Sequence, residues 1–516
     1  MRLIQKENKE SEFLQEPRHY NMSQEKYDLI VIGSGPAGYS AATRAIDFKK
    51  SVCIIEANHL GGAGIMNGAL TSKTMWELSK DFNIASSVNR GYRASGLFAD
   101  YKQVQKTIIQ AAKQKQLQML SQIETFSETT DTHGSMCLKY GWAKFIDSHT
   151  IEIDKNGTKE RITGDNIIIA TGARPRKMPD IEIDQERIID SDGIMNLKEF
   201  PERMIIIGSG IIGCEYATIF SNYNQTEVHL LDRQHKVIPY EDDDVSDFVS
   251  KGLEKNGVII HHTANLRTIR KRPDCLEVVL DYQDGHSKVI EVDVAVVAVG
   301  RIPNLDNLGL ENVNIKTTER GYLDINEACA IDNFKSCNIF AAGDVSGHAQ
   351  LYSVGELQGR FIVEALYGNL DFPLDYSNMS TLMFFKPAVA AVGLNEKACK
   401  SKNIPYKAVT YSNSLINRAI AMRASDGFVK IIVSDDGENR ILGMRAAGPQ
   451  ASTLITSIAY QISQKGTLKD IRKNVHPHPS ISEGVQECLR VFEGKSIYKP
   501  QAFPDLIKLE SWKPED

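Results

Sequence analysis

Two glycine-rich turns have the residue types and spacing to hold the phosphates of a dinucleotide. Residues 33–38 read Gly-Ser-Gly-Pro-Ala-Gly, and residues 208–213 read Gly-Ser-Gly-Ile-Ile-Gly. Each turn follows an apolar segment and precedes a segment of helical composition, so backbone N–H groups at a helix start can meet a pyrophosphate. One such turn is weak evidence, because glycines occur wherever a chain turns tightly. Two copies in the same context predict two dinucleotide-binding units.

An acidic residue follows each turn at a useful distance. Glu56 and Asp232 lie about 20 residues beyond the first glycine of their turns, at the reach of a carboxylate that accepts both hydroxyls of an adenosine ribose. Because the turn and the acidic residue occur together twice, we consider two strand-helix-strand units that bind no ligand to be the weaker interpretation.

A histidine and a carboxylate near the C-terminus could move a proton. Residues 476–483 read His-Pro-His-Pro-Ser-Ile-Ser-Glu. A turn can bring His478 next to Glu483, and a histidine held in this way exchanges a proton near neutral pH. Two alternatives remain open: Ser482 could cap a helix, and the two histidines could bind a metal. We favour the proton relay and assign no metal site.

The elements around these residues alternate between strands and helices. An apolar run precedes each glycine turn, and another ends just before Glu56 and Asp232. Residues 73–123 have the composition of paired helices inserted in the first unit, and residues 136–170 that of short strands. Residues 378–490 mix strands and helices. The pattern predicts an α/β protein with two Rossmann-like dinucleotide-binding domains and a C-terminal α+β domain.

Composition limits the remaining possibilities. The 516 residues exceed the usual size of one hydrophobic core. The formal net charge is −6, which argues against a nucleic-acid partner, and we expect the basic run at residues 270–272 to be a solvated turn. We find no apolar stretch long enough to cross a membrane and no signal peptide, so we expect no integral membrane association and a cytoplasmic location.

The chain contains eight cysteines, and their spacing matches neither a metal site nor a CxxC dithiol. We expect mostly reduced, individually placed thiols. They occupy positions 53, 137, 214, 275, 329, 337, 399 and 488.

Five segments in fixed order resemble the pyridine nucleotide-disulfide oxidoreductases of class I. They are residues 33–38, 170–172, 208–215, 299–304 and 342–344. Within that family, the His-Pro-x-x-Ser-Glu segment is most similar to dihydrolipoamide dehydrogenases. The resemblance implies FAD on the first unit, NAD(H) or NADP(H) on the second, and a homodimer in which His478 and Glu483 act at the partner's flavin.

The resemblance also implies domain limits. They are a flexible N-terminal extension at residues 1–25, an FAD-binding domain at 26–180 and 306–377, an NAD(P)-binding domain at 181–305, a dimerisation domain at 378–490, and a C-terminal tail at 491–516.

Individual roles follow from the same resemblance. Asp344 would hold the ribityl chain of the flavin, and Lys73 and Glu215 would form an ion pair beside it, with a plain buried salt bridge as the alternative. The implied catalytic residues are His478, Glu483, Lys73 and Glu215. The implied cofactor-binding residues are Gly33, Gly35, Gly38, Glu56, Gly62, Ser72, Lys73, Thr171, Gly172, Gly208, Gly210, Gly213, Glu215, Asp232, Arg233, Gly300 and Asp344.

One departure from the family pattern bears directly on function. Where the family has Gly-Gly-x-Cys-x-x-x-x-Cys-x-x-Ser-Lys, residues 61–73 have Gly64 and Ala69 in place of the two cysteines. Neither residue can form the disulfide that accepts electrons from flavin. We therefore expect no dihydrolipoamide or glutathione chemistry by the family mechanism, unless the fold brings other thiols together.

The expected activity is hydride transfer from a nicotinamide nucleotide through flavin to a small-molecule, non-disulfide electron acceptor. A quinone or a second nicotinamide nucleotide would fit, although transhydrogenases of this family lack the His-Pro-x-x-Ser-Glu segment. Asp232 would repel a 2′-phosphate and Arg233 could bind one, so we favour NADH. The alternative is a dihydrolipoamide dehydrogenase-like protein that has lost disulfide chemistry and serves as a flavin-bound scaffold or redox sensor.

Overall fold

The structure is a computed structural model that describes residues 25–87, 91, 93, 96–331, 338–370 and 373–515. Residues 1–24, which make up nearly all of the predicted N-terminal extension, lie outside these ranges, as does Cys337. Within the described ranges, no helix is both long enough and apolar enough to cross a membrane.

The strands are β1 (Glu25–Ile32), β2 (Ser51–Glu56), β3 (Ser135–Tyr140), β4 (Trp142–Phe145), β5 (Thr150–Lys155), β6 (Thr158–Ile169), β7 (Ala173–Pro175), β8 (Ile188–Asp190), β9 (Arg203–Ile207), β10 (Glu227–Leu231), β11 (Ile259–His261), β12 (Ala264–Lys271), β13 (Leu276–Tyr282), β14 (Ser287–Val292), β15 (Val294–Val297), β16 (Arg301–Pro303), β17 (Ile339–Ala341), β18 (Ser380–Met383), β19 (Val389–Gly393), β20 (Tyr406–Ser412), β21 (Phe428–Ser434), β22 (Ile441–Ala447) and β23 (Ile507–Trp512).

The α-helices are α1 (Pro36–Asp47), α2 (Gly62–Ile65), α3 (Ala69–Ala85), α4 (Tyr101–Thr125), α5 (Ile211–Tyr223), α6 (Asp243–Lys255), α7 (Tyr352–Tyr367), α8 (Glu396–Ser401), α9 (Asn417–Ala421), α10 (Ala451–Ser463), α11 (Leu468–Ile471) and α12 (Glu483–Phe492). Short 3-10 helices span Ser191–Asn196, Leu310–Val313, Gly343–Ser346 and Asn413–Leu415.

The first unit is a mixed sheet with the order β3-β2-β1-β6-β5-β4, in which β17 also pairs with β6. β1, β2, β3, β6 and β17 are parallel, and β5 and β4 run antiparallel to their neighbours. α1 packs against α7 through small residues, because a Cβ on Gly359 would lie 2.1 Å from the carbonyl oxygen of Ala37. The inserted helices α3 and α4 pack on each other. This region forms the predicted helix pair.

The second unit is a parallel sheet with the order β11-β10-β9-β15-β8. An antiparallel meander, β12-β13-β14, lies beside it. Arg270 and Lys271 belong to β12 rather than to the solvated turn that we expected, and Lys271 forms a 2.8 Å ion pair with Asp184. The two Rossmann-like sheets confirm the predicted fold class.

The third unit is an antiparallel sheet with the order β18-β19-β22-β21-β20-β23, with α10 and α12 packed on it. β23 lies in the segment that we predicted to be a tail, and it pairs with β20. Most of its side chains are exposed. Residues 507–510 alternate between apolar and polar side chains, which is a short strand signal that our prediction of a tail overlooked.

Buried ion pairs join the second unit to the third. Arg445 contacts Glu241 at 2.9 Å, and Lys430 contacts Asp242 at 3.0 Å and also Asp244 and Glu396. The three carboxylates around Lys430 have oxygens close enough to share a metal ion. The Lys430 ammonium already lies among them and neutralises part of their charge, which makes this cluster a link between units.

Candidate functional site

The two glycine turns have the same backbone geometry. Gly33 and Gly208, the first glycines, have φ angles of +107° and +113°, which strongly favour glycine. A Cβ on Gly38 would lie 1.9 Å from the carbonyl oxygen of Gly33, and a Cβ on Gly213 would lie 1.8 Å from that of Gly208. The first and third glycines are therefore required for the turn itself and for close packing of the helix on the strand.

The second glycine of each turn faces open space. A Cβ on Gly35 or Gly210 would meet no protein atom within 4 Å. Each residue is the N-cap of its helix, α1 or α5, and makes no side-chain capping bond. Backbone N–H groups in the first turn of each helix therefore face this space and can bind an anion. Both turns fit a pyrophosphate.

Each predicted ribose-binding carboxylate is buried and held by the serine of its own turn. Glu56 accepts hydrogen bonds from the backbone N–H and hydroxyl of Ser34 at 3.0 and 2.6 Å. Asp232 accepts one from the hydroxyl of Ser209 at 2.7 Å. The same arrangement at both turns fixes each carboxylate at the carboxyl end of the second strand.

Arg233 differs from Asp232 in environment. Its side chain is exposed, and its Nε donates to Oδ1 of Asn265 at 3.1 Å. The guanidinium is thus directed to β12, while the Asp232 carboxylate beside it lies at the carboxyl end of β10.

A second pair of loops meets near the first turn. Gly33 approaches this region closely, because a Cβ there would lie 2.3 Å from the carbonyl oxygen of Ala170. Asn304 donates to the carbonyl oxygens of Thr171 and Gly172 at 3.0 and 2.9 Å. Gly172 and Gly300 have φ angles of +69° and +107°. These contacts fix residues 171–172 beside the first turn.

Thr171 carries an unsatisfied polar atom. Its hydroxyl oxygen is buried and, within the described part of the chain, has no hydrogen-bond partner. Such atoms are uncommon in folded proteins unless another group binds them. Its position next to the first turn fits a bound cofactor.

Asp344 lies in the 3-10 helix that follows β17. Burial raises the pKa of its carboxyl group, and the positive charge of Arg301 partly opposes this shift. Gly343, with a φ of +80°, brings this segment close to α1, where a Cβ would lie 3.2 Å from that of Ala37. Asp344 is thus near the helix that starts at the first turn.

Lys73 and Glu215 form the predicted ion pair. Lys73 Nζ lies 2.8 Å from Glu215 Oε2, and it lies 3.3 Å from the hydroxyl of Ser72. The other carboxylate oxygen of Glu215 accepts a hydrogen bond from the backbone N–H of Phe384 at 3.1 Å. Because these residues come from α3, α5 and the third unit, the pair lies where the three units meet.

The segment at residues 61–69 has no room for side chains at its glycines. A Cβ on Gly64 would lie 2.7 Å from the Pro36 ring and 3.0 Å from the Tyr352 ring. Gly62 is less tight, since its Cβ would lie 3.3 Å from Cα of Gly35, but its φ of +52° also favours glycine. Neither Pro36 nor Tyr352 gave a sequence signal, because no motif links them to Gly64.

His478 and Glu483 also come together as predicted. His478 Nδ1 lies 2.7 Å from Glu483 Oε1, and the backbone N–H of Ser480 donates to the other oxygen at 3.1 Å. Burial tends to raise the pKa of Glu483, but these hydrogen bonds outweigh it and lower the pKa. α12 does begin after Ser482, as the helix-cap alternative expected, but the serine side chain makes no capping bond.

The two pairs are separate in the single chain. The His478 side chain is 62% exposed. Within the described residues, no hydrogen bond or ion pair joins it to Lys73 or Glu215. An exposed histidine of this kind is available to a second subunit.

Asp192 is a further ionisable group that the sequence did not indicate. Burial raises the pKa of its carboxyl group to about 6, against the positive charge of Arg301. It lines a small cavity together with Asn67, Ser72 and Tyr216. This cavity lies beside the segment at residues 61–69.

Comparisons with known proteins agree with this geometry. Residues 27–359 match the family described as pyridine nucleotide-disulphide oxidoreductase, and residues 379–489 match its dimerisation domain. The dihydrolipoyl dehydrogenase of Geobacillus stearothermophilus is 31% identical over 91% of this chain and 97% of its own length. Dihydrolipoyl dehydrogenase 3 of Haloarcula marismortui is 31% identical over 92% of this chain and 98% of its own.

A solved structure has the same fold. It is the Cu(II) complex of the HOCl-induced flavoprotein disulfide reductase RclA from Escherichia coli. It matches with a TM-score of 0.79 and 25% sequence identity, over 91% of this chain and 100% of that one.

Proposed function

The chain belongs to the pyridine nucleotide-disulphide oxidoreductase family, and from this premise we propose that it transfers electrons from NADH through FAD to a non-disulfide acceptor, with a quinone as the favoured class. Members of this family use FAD and NAD(P)H. The proposal also includes a cytoplasmic homodimer formed through the dimerisation domain.

The observation that carries the proposal is the segment at residues 61–69. It has glycine and alanine at positions 64 and 69, and the space next to Gly64 is filled by Pro36 and Tyr352. A thiol at position 64 would require the Pro36 ring or the backbone to move. The segment therefore lacks both the sulfur atoms and the space that a disulfide needs.

The chain's own residues have defined roles in this proposal. The turns at Gly35 and Gly210 bind the phosphates, and Glu56 and Asp232 bind the two adenosine riboses. FAD, when bound, accepts a hydride from the nicotinamide and passes electrons on to the acceptor. Lys73, held by Glu215, provides a fixed positive charge beside the flavin.

The preference for NADH rests on the two residues after β10. The buried Asp232 carboxylate lies at the carboxyl end of β10 and would repel a 2′-phosphate. Arg233 is exposed and already bonded to Asn265. It would have to leave that partner to bind a phosphate.

The favoured acceptor class follows from Tyr352. The residue is 45% exposed, and its ring carbon Cε2 lies 3.0 Å from the place of a Cβ on Gly64. An exposed aromatic face can stack on a flat ring, which contributes about 0.5–1.5 kcal/mol. A planar quinone matches this surface better than a flexible disulfide does.

Anaerobic titration of the purified holoenzyme with NADH tests the proposal, since it counts the electrons that the protein accepts. The protein is titrated as purified, without prior thiol reduction, so that any disulfide is still oxidised, and a dihydrolipoyl dehydrogenase serves as the control with a redox-active disulfide. We expect full bleaching of the flavin at about one equivalent of NADH per FAD.

Two results would contradict the proposal. Uptake of about two equivalents per FAD would reveal a second two-electron centre in contact with the flavin. The absence of bleaching by NADH and by NADPH would favour a flavin-bound scaffold or sensor.

A further inference from the structure

The fold brings together two cysteines that lie far apart in sequence. Cys53 on β2 and Cys137 on β3 are direct partners in a parallel ladder, and both are free thiols. Partners of this kind point to the same face of the sheet. Neighbouring strands lie about 4.8 Å apart, which is within the Cα separation of about 4.4–6.8 Å found in disulfides.

The two thiols differ in environment. Cys53 is fully buried, whereas Cys137 is partly exposed. Interaction with the Cys53 thiol, together with the Tyr27 hydroxyl and against the effect of burial, lowers the pKa of Cys137 to about 7. Interaction with Cys137 and burial raise the pKa of Cys53. The accessible thiol is therefore the one that ionises first, while the buried one keeps its proton.

Polar groups surround Cys137. Its Sγ lies 3.4 Å from the hydroxyl of Tyr27, and that hydroxyl donates to Glu25 at 2.6 Å. Lys139 lies 3.0 Å from Glu25. The Tyr27 hydroxyl can turn from Glu25 to an ionised Cys137, and Lys139 adds positive charge nearby.

Other cysteines in the described part of the chain have a different setting. Burial raises the pKa of Cys329 to about 12 and that of Cys399 to about 11, and it raises the pKa of Cys214 and Cys488 as well. Buried thiols of this type react slowly.

We propose that Cys137 and Cys53 are a hydroperoxide-oxidised dithiol that forms a cross-strand disulfide. The Cys137 thiolate attacks the terminal oxygen of the hydroperoxide, which forms an S–O bond, breaks the O–O bond, and releases an alcohol, or water when the oxidant is hydrogen peroxide. Cys53 then loses its proton and attacks the sulfenic sulfur, so that an S–S bond forms and water leaves. The two thiols lose two electrons, which reduce the hydroperoxide.

This reaction needs neither FAD nor the acceptor proposed above. The dithiol lies within the sheet of the first unit, on the strand that ends at Glu56, and not in the segment at residues 61–69. It goes beyond the proposed function, and either one can fail without the other.

Peptide mass spectrometry on the holoenzyme tests the proposal. The protein is treated with hydrogen peroxide at pH 7, free thiols are blocked with iodoacetamide, and the digest is analysed without reduction. We expect a linked peptide pair that contains Cys53 and Cys137 and that disappears on treatment with dithiothreitol.

Three variants define the order of the steps. In Cys53→Ser, oxidation should stop at a Cys137 sulfenic acid that dimedone traps. In Cys137→Ser, the alkylation rate of Cys53 at pH 7 should be at least about tenfold below that of Cys137 in the unchanged protein. Cys488→Ser, a matched buried cysteine, should leave the linked pair intact. Flavin bleaching by NADH should be unchanged in all three and reports correct folding.

The proposal would be overturned by intact thiols at both positions after peroxide treatment. It would also be overturned by oxidation of the unchanged protein that ends at Cys137 sulfenic or sulfinic acid without a link to Cys53.

Discussion

The two glycine turns and the segment between them, residues 61–69, are all rich in glycine, but for different physical reasons. In the turns, the first glycine has a positive φ, the third allows helix and strand to touch, and the second faces open space. In the segment, Gly64 faces no open space, because Pro36 and Tyr352 already fill it. The second glycine of each turn, Gly35 or Gly210, leaves room for a ligand. Gly64 makes room for the protein's own side chains.

This difference separates the two halves of the proposed reaction. The residues that we propose for binding two dinucleotides are held by hydrogen bonds at both turns, and the Lys73–Glu215 ion pair is formed. The position where the family has its first cysteine is closed. Under our proposal, a different electron acceptor therefore requires changes in only a few side chains. The domains proposed to bind FAD and the nicotinamide nucleotide keep the same fold.

The largest expected effect is at the open glycines. Gly35→Ala and Gly210→Ala have backbone angles that alanine adopts, and their methyl groups would meet no protein atom. Compared as apoproteins, both variants should fold with stability within about 0.5 kcal/mol of the unchanged protein. Gly35→Ala should lose FAD. Gly210→Ala should keep FAD and weaken NADH at least about tenfold, because a methyl group then occupies the pyrophosphate position.

Flavin absorbance and NADH titration measure these effects, and circular dichroism reports folding. If both variants bound FAD and NADH normally, the two turns would not hold phosphates, and the open space at Gly35 and Gly210 would not be a ligand site.

The second effect is at the ion pair. Lys73→Met should lower the rate of flavin reduction by NADH about 10²-fold, because a fixed charge beside the flavin is lost, and should also lower the flavin reduction potential. Stopped-flow absorbance and a dye-based potential measurement test this. Lys80→Met, on the same helix with an exposed ion pair to Glu77, is the matched control. A fall in thermal stability alone would identify Lys73–Glu215 as a structural salt bridge.

A smaller effect is expected at Asp232. Asp232→Ser removes the charge that disfavours a 2′-phosphate and should shift the ratio of kcat/KM for NADH over NADPH about tenfold towards NADPH, equal to about 1.4 kcal/mol. Asp247→Ser, an exposed residue paired with Lys236, should not change the ratio. An unchanged ratio in Asp232→Ser would mean that other groups select the nucleotide.

The smallest effect is expected at His478. Because residues 64 and 69 carry no thiols, His478 and Glu483 have no thiol proton to move there. His478→Gln should therefore change quinone turnover less than about twofold. Steady-state kinetics between pH 6 and 8 check this. A tenfold loss with a changed pH profile would show that the histidine protonates the acceptor instead.

The sequence was sufficient to predict those site residues whose roles depend on local backbone structure. Gly33, Gly35 and Gly38 act through backbone geometry within one turn, and Glu56 ends the next strand, so spacing alone located them. Lys73 and Glu215 come from distant segments and were found only through the family resemblance.

Other contacts depend on tertiary packing, which the spacing of residues in the sequence does not reveal. Tyr352 approaches Gly64 because α7 lies against α1. Cys53 and Cys137 meet because β2 and β3 pair in a particular register. β23 has a short apolar/polar alternation at residues 507–510, but its pairing with β20 at the edge of the sheet could not be read from that alternation.

A double-mixing stopped-flow experiment tests most directly whether the acceptor is a quinone rather than a disulfide. Holoenzyme is first reduced with one equivalent of NADH and then mixed, without oxygen, with a soluble benzoquinone or with oxidised lipoamide, while flavin absorbance is followed. We expect the quinone to restore the oxidised flavin spectrum within the turnover time and lipoamide to leave it bleached. Rapid reoxidation by lipoamide, with no response to the quinone, would contradict the account.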